Sequence, residues 1–191
     1  MNNRFRAGPI AATAIGWALM LVTMTYAFVR PPHGALPAAP PELVQQSATT
    51  ATKGDIVATQ HVTGDFDVKL VPQGTPDKAD GSTLARMSID KQYHGHLEAT
   101  AKGEMLTAGT DVQGSAGYVA IERVTGTLNG RTGSFVLQHS GTLTRGAPAQ
   151  NITVVPDSGS GQLVGITGKL TVVIEGGKHS YEFEYTLPPG S

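Results

Sequence analysis

The chain has 191 residues, with 24 Gly, 12 Pro and only 15% charged residues. Gly and Pro oppose helix interiors, and here they fall between β-branched and aromatic runs, which favours many short strands. Cys is absent, which excludes thiol catalysis, Cys-ligated metals and disulfides, so burial and strand pairing must hold the fold. Four of the 14 basic and one of the 15 acidic residues precede Asp55, leaving a mildly acidic body of 10 basic and 14 acidic residues. With no Lys/Arg cluster to neutralise phosphates, that body argues against a nucleic-acid partner.

Residues 8–29, GPIAATAIGWALMLVTMTYAFV, form an uncharged run of 22 residues, with Arg4 and Arg6 before it and Arg30 after it. A helix of roughly 20 residues spans a bilayer core. The two leading arginines favour a cytoplasmic N-terminus and export of the rest of the chain. A signal-peptide core is usually about 7–15 residues, so this one is long; residues 1–30 read as a signal anchor or a cleaved signal peptide. Residues 31–54, Pro/Ala-rich and then Gln/Ser/Thr-rich, cannot bury enough apolar surface to offset their ordering entropy and read as a tether. The expected product is membrane-anchored or secreted, with the domain of residues 55–191 in the periplasm or outside the cell.

Within that domain Phe66, Val68 and Leu70 alternate with polar residues, the period of a half-buried strand. Residues 71–83 read as a loop. A strand is predicted from Leu84 to Tyr93 with Met87 and Ile89 on one face, and Gly95 marks a bend. Leu97, Ala99, Ala101, Gly103 and Met105 then alternate with polar residues, which predicts a long strand with small residues inward. Leu, Ala, Glu and Met in the same stretch also suit a helix, the competing reading. Residues 117–128 form the next strand, and Asn129-Gly130 is a strong hairpin signal. Strands are predicted at residues 133–140, 141–145, 151–155, 162–164 and 169–175. Gly176-Gly177 turns the chain into a last strand carrying Tyr181, Phe183 and Tyr185, ended by Pro188-Pro189. Eight to nine short strands with tight turns imply antiparallel neighbours, and about eight close into a small barrel that is filled or holds one small ligand.

His139 continues the apolar face of Phe135 and Leu137, so it points inward, either as a core histidine satisfied by hydrogen bonds or as a pocket acid, base or donor. Glu122 and Arg123 lie on opposite faces of a strand whose faces are equally apolar. One charge therefore points inward, which flags a pocket, unless both sit at the rim. Tyr181, Phe183 and Tyr185 read as a core stripe, while the hydroxyls of Tyr118 and Tyr185 suit a cavity mouth. His94, His96 and Glu98 share a face at metal-ligand spacing, but Gly95 interrupts them and no further ligand is placed; they read as a solvated outer face, with no metal. Gly159-x-Gly161 lacks the Lys-Ser/Thr and helix of a phosphate loop. No motif calls for a cofactor.

The runs RMSIDKQYHGHLEATAKGEML, GSAGYVAIERVTGTLNGRTGSFVLQHSGTLTRG and VVPDSGSGQLVGITGKLTVVIEGGKHSYEFEYTLP resemble a family of small bacterial proteins known only as a domain of unknown function. The resemblance covers Gly64 to Pro188. That family looks like the allene oxide cyclase barrel, related in shape to the dirigent and lipocalin barrels. The stretch Gly159-x-Gly161-x-x-x-Gly165-x-x-Gly168 is similar to one in the cyclases and dirigent proteins. The resemblance implies a closed all-β barrel with a central cavity; no cyclase catalytic residue maps onto this chain. In that family the position of His96 is more often acidic. Three functions are open: binding of a small, mostly apolar molecule in the barrel, an isomerase or cyclase by fold analogy, or a filled interaction module. An oligomer is compatible with each.

The N-terminal reading is testable. A C-terminal alkaline phosphatase fusion of the full chain should be active and a cytoplasmic fluorescent fusion dark; the reverse pattern overturns the topology.

Overall fold

The computed structural model describes residues 57–189. The expected membrane segment and tether fall outside the described residues. Period-two alternation dominates the rest and yields strands β1 (Gln60–Pro72), β2 (Asp77–Ala79), β3 (Ser82–Gly95), β4 (Leu97–Thr110), β5 (Ala116–Leu128), β6 (Arg131–Thr144), β7 (Ala147–Val154), β8 (Ser160–Gly161), β9 (Thr167–Glu175) and β10 (Lys178–Thr186). Eight of them form an antiparallel barrel in the order β1-β10-β9-β7-β6-β5-β4-β3, and β1 closes the ring by pairing with β3. The short strands β2 and β8 pair with β3 and β6 outside that ring. The helix alternative for residues 96–106 is overturned: β4 buries Leu97, Ala99 and Ala101 and exposes the residues between them.

Several expected boundaries shift. Residues 71–83, expected as a loop, hold the end of β1, all of β2 and the start of β3. The hairpin there turns on Asp80-Gly81, both left-handed (φ 48° and 73°), as Asn129 and Gly130 are at the β5–β6 turn (47° and 79°). Such pairs match the twist of two-residue hairpins. Residues 133–140 and 141–145, expected as two strands, are one continuous β6. Residues 162–164, expected as a strand, lie in a turn between Gly161 and Gly165 that tucks Leu163 and Ile166 into the core.

Closure depends on β1 serving two neighbours. Gln60–Asp65 pairs with β10, and Gly64–Pro72 pairs with β3. At the crossover Gly64 faces Gly95 on one side and Tyr181 on the other. A Cβ on Gly64 would overlap the His94 carbonyl and the Tyr181 ring, so the position needs glycine. The Tyr181 hydroxyl accepts a hydrogen bond from the Leu97 N–H at 3.0 Å and donates to the His94 carbonyl at 3.1 Å. It thereby satisfies two backbone groups at the bend between β3 and β4.

The opposite wall has a weaker joint. β7 and β9 share a single ladder pair, Thr153 with Lys169. Beyond it the side-chain amide of Gln150 takes over: Nε2 donates to the Val172 carbonyl at 2.6 Å and Oε1 accepts from the Val172 N–H at 3.2 Å.

Inward side chains are graded along the barrel axis. At the end holding the β5–β6 turn and the chain's exit they are fully buried, with Phe135 on Phe183 (5.6 Å between ring centroids), Phe183 on Tyr185 (5.2 Å) and Tyr93 edge-on to Tyr181 (5.5 Å). Ala99 and Ala101, the small inward residues that suggested a cavity wall, instead belong to this packed cluster. At the other end the inward positions Val68, Leu70, Met87, Met105, Tyr118 and Val172 are only partly buried. One end is a plug and the other a mouth.

Tyr181→Phe should keep the ring packing and strand both backbone partners. A loss of about 1–3 kcal/mol, read as a lower midpoint in thermal or urea unfolding with unchanged circular dichroism, is the expected result; an unaltered midpoint would remove the hydroxyl from the closure.

Candidate functional site

The ladder register stacks the inward residues in layers across β3, β4, β5 and β6. One layer is Ala85, Thr107, Tyr118 and Gly141, at the mouth. Below it lie Met87, Met105, Ala120 and His139; next come Ile89, Gly103, Glu122 and Leu137, and then Lys91, Ala101, Val124 and Phe135. Phase alone therefore aims Tyr118, Glu122 and His139 into the barrel, with Lys91 and Tyr93 on the same face of β3.

These residues meet on one carboxylate. Glu122 is 0% exposed, His139 5% and Lys91 7%. Glu122 Oε1 accepts from Lys91 Nζ at 2.9 Å, from the Tyr93 hydroxyl at 2.9 Å and from His139 Nε2 at 3.2 Å. Because Nε2 faces the carboxylate it carries a proton in either charge state of His139. Lys91 Nζ also lies 5.0 Å from the centre of the Phe66 ring, within cation–π range. Gly103 makes room for Glu122, since a Cβ there would meet the Glu122 Cα at 2.6 Å. Glu122 Oε2 is buried and has no partner among the described residues.

The electrostatics reflect this geometry. Burial pushes the Glu122 carboxyl up, but the hydrogen bond from His139 and the charge of Lys91 together outweigh it and hold the group at about 2. Burial, reinforced by the Glu122 charge and hydrogen bond, raises the Tyr93 phenol well above its ordinary value. Burial and the same charge raise Tyr118. Both tyrosines are thus neutral at ordinary pH, and Glu122 is ionised.

Of the residues singled out in the sequence, Glu122 and His139 form the centre of this cluster. Glu122 lies inside the barrel and not at its rim, while Arg123 is exposed. Tyr118 stands two inward positions above Glu122, its ring covering Gly141, where a Cβ would overlap it. Tyr185 is not part of the site: its hydroxyl donates to Gln60 Oε1 at 2.8 Å and accepts from Asn129 Nδ2 at 2.9 Å at the plugged end. Its phase is inward as expected, but its height on β10 puts it opposite Gly168 and away from the mouth. His94 and His96 are exposed on the outer face, with His94 Nε2 3.5 Å from Asp67 Oδ2. Lys91 and Tyr93 were missed, although the period that places Met87 and Ile89 inward continues to both.

A shallow concavity of about 920 Å³ lies at the mouth end of β3 to β7. It is lined by the mouth layer Ala85, Thr107, Tyr118 and Gly141 together with outward residues such as Leu84, Leu106 and Val119, but by none of Met87, Met105, Ala120 or His139. A smaller notch of about 340 Å³, where β1 parts from β10, is lined by Val68, His179 and Lys91 and gives the cluster a lateral approach.

The comparisons agree with this architecture. Residues 62–185 match the family described as a protein of unknown function, DUF3224, and the chain belongs to that family. The chain is similar to a crystallised protein of unknown function of the same family from Shewanella oneidensis MR-1, with 50% identity and a TM-score of 0.67. The match covers 70% of this chain and 100% of that one. The crystallised relative, matched over its whole length, shows that a family member of the barrel portion's length folds. No curated protein matches the chain.

The cluster makes stability pH-dependent. The folded-state carboxyl of Glu122, near 2, lies below its ordinary value of 4.5, so its ionisation stabilises the fold above about pH 4.5. That contribution, on the order of 3 kcal/mol, is lost as the pH falls toward 2. Glu122→Gln leaves Lys91 buried without a counter-ion and should cost roughly 3–5 kcal/mol at pH 7. The gap between the two proteins in urea unfolding should narrow as pH drops from 5 to 2.5. A constant gap would mean that the charge of Glu122 contributes nothing.

Proposed function

We propose that the barrel is a binding module for one small, mostly apolar molecule, taken in at the mouth. One observation carries this reading. Inward side chains of the mouth half stay partly exposed, and the interior then ends on a buried polar floor instead of continuing as hydrocarbon. Apolar walls with a few convergent polar groups are the usual make-up of small-molecule sites. The N-terminal run and tether favour action beyond the cytoplasmic membrane, with the module anchored there or released.

The isomerase reading rests on the likeness to the allene oxide cyclase barrel, and an inward carboxylate beside a histidine favours it. The electrostatics weigh against proton abstraction by Glu122. A general base works best with a pKa near the operating pH, whereas this carboxylate is held at about 2. Such a group is suited to accepting hydrogen bonds. The filled-module reading suits the plugged end and leaves the polar floor without a role.

The chain from Asp55 onward serves for the test, with an added fluorescent probe that reports an apolar environment. Nile red should bind it saturably. Met105→Trp, which fills the interior just below the mouth layer and does not line the concavity, should weaken binding at least tenfold, and Leu106→Gln, one residue away on the outward side of the concavity, should leave it unchanged. No saturable binding, or loss with Leu106→Gln alone, overturns a site inside the barrel.

A further inference from the structure

Glu122 Oε2 is the one buried side-chain oxygen or nitrogen without a partner among the described residues, and it belongs to the most buried charged group of the domain. Leaving a buried charged acceptor unpaired is costly, and its sister oxygen already holds three donors. None of those donors reaches Oε2 in the structure. What the position calls for is a donor from outside the protein.

The surroundings narrow the donor's chemistry. The Glu122 carboxylate and the Lys91 ammonium already balance, 2.9 Å apart, and His139 donates at the same oxygen. A further ammonium would bring an unbalanced charge into a buried site, and a carboxylate would bring an acceptor to an acceptor; both are penalised by desolvation. A neutral hydroxyl supplies the missing bond and no charge. Above the floor, Met87 and Met105 stand side by side on the paired strands β3 and β4 and are only partly buried. Met is flexible and unbranched, so these two side chains can swing aside for a narrow group without backbone movement. The Tyr118 ring, laid over Gly141, bounds the same passage.

We infer that the ligand is an apolar molecule ending in a neutral hydroxyl, which passes along Met87 and Met105 and donates to Glu122 Oε2. The inference rests on the interior site proposed for the barrel and names the ligand class it selects.

Two measurements on the chain from Asp55 onward test it. In a carbon-13 NMR titration, the Glu122 carboxyl resonance should move when decan-1-ol is added and stay in place with methyl decyl ether, which has the same chain and no donor. In competition against Nile red, decan-1-ol should displace the probe at roughly tenfold lower concentration than decylamine or decanoate, the scale of one hydrogen bond to a charged group. In Glu122→Gln the alcohol should lose that advantage; if this variant fails to fold, the ranking in the unaltered chain decides by itself. Failure of Nile red to bind defeats the interior site, and the carboxyl resonance still tests the anchor directly. Equal displacement by all three amphiphiles, a preference for decanoate or decylamine, or an unmoved Glu122 resonance overturns the hydroxyl anchor.

Discussion

Three donors from two strands converge on one oxygen of a third. Lys91 and Tyr93 come from β3, His139 from β6, and Glu122 from β5, all within 3.2 Å. A charge in a barrel of this width is tolerable only under such a constraint, because an isolated carboxylate would be protonated or would exclude the fold. The constraint sets the neighbouring features. Gly103 is needed where the wall draws close to Glu122, and burial together with the same charge raises the phenols of Tyr93 and Tyr118. The cluster also divides the interior: aromatic packing fills one side, and partly exposed Met, Val and Leu line the other.

Much of this was legible in the sequence, because a strand's alternation carries its own orientation. The inward aim of His139 comes from Phe135 and Leu137, and the barrel from eight alternating runs with tight turns. Glu122 was ambiguous, since both faces of β5 are apolar: the outward Val119 and Ile121 are about half exposed, and no local pattern marks them as outer. Lys91 was readable by its phase, yet a lysine within a strand is habitually assigned to solvent. The role of Tyr185 was not readable. Alternation tells which face a side chain joins but not how far along the axis it lies, and that height, fixed by pairing with Gln60 and Gly168, puts it at the plug.

Two effects of small residues escaped local reading for a related reason. Gly141 interrupts a hydrophobic run and looks like a strand break. In the barrel it is an extended residue whose missing side chain is occupied by the Tyr118 ring of the next strand. Ala99 and Ala101 look like cavity lining and instead make space for aromatic neighbours. Small residues record that something comes close; whether it is a ligand or a ring from another strand is decided by partners distant in sequence.

The joint between β7 and β9 gives the wall a direction of compliance. Around the rest of the ring, neighbouring strands are fastened by several backbone bonds, which give way together or not at all. Here one ladder pair and a single glutamine amide span the gap, so beyond Thr153 and Lys169 the seam is held by the Gln150 amide on Val172. The wall beside the mouth is thus closed by a side chain, and a rotation of Gln150 undoes there what elsewhere in the ring would require breaking a ladder.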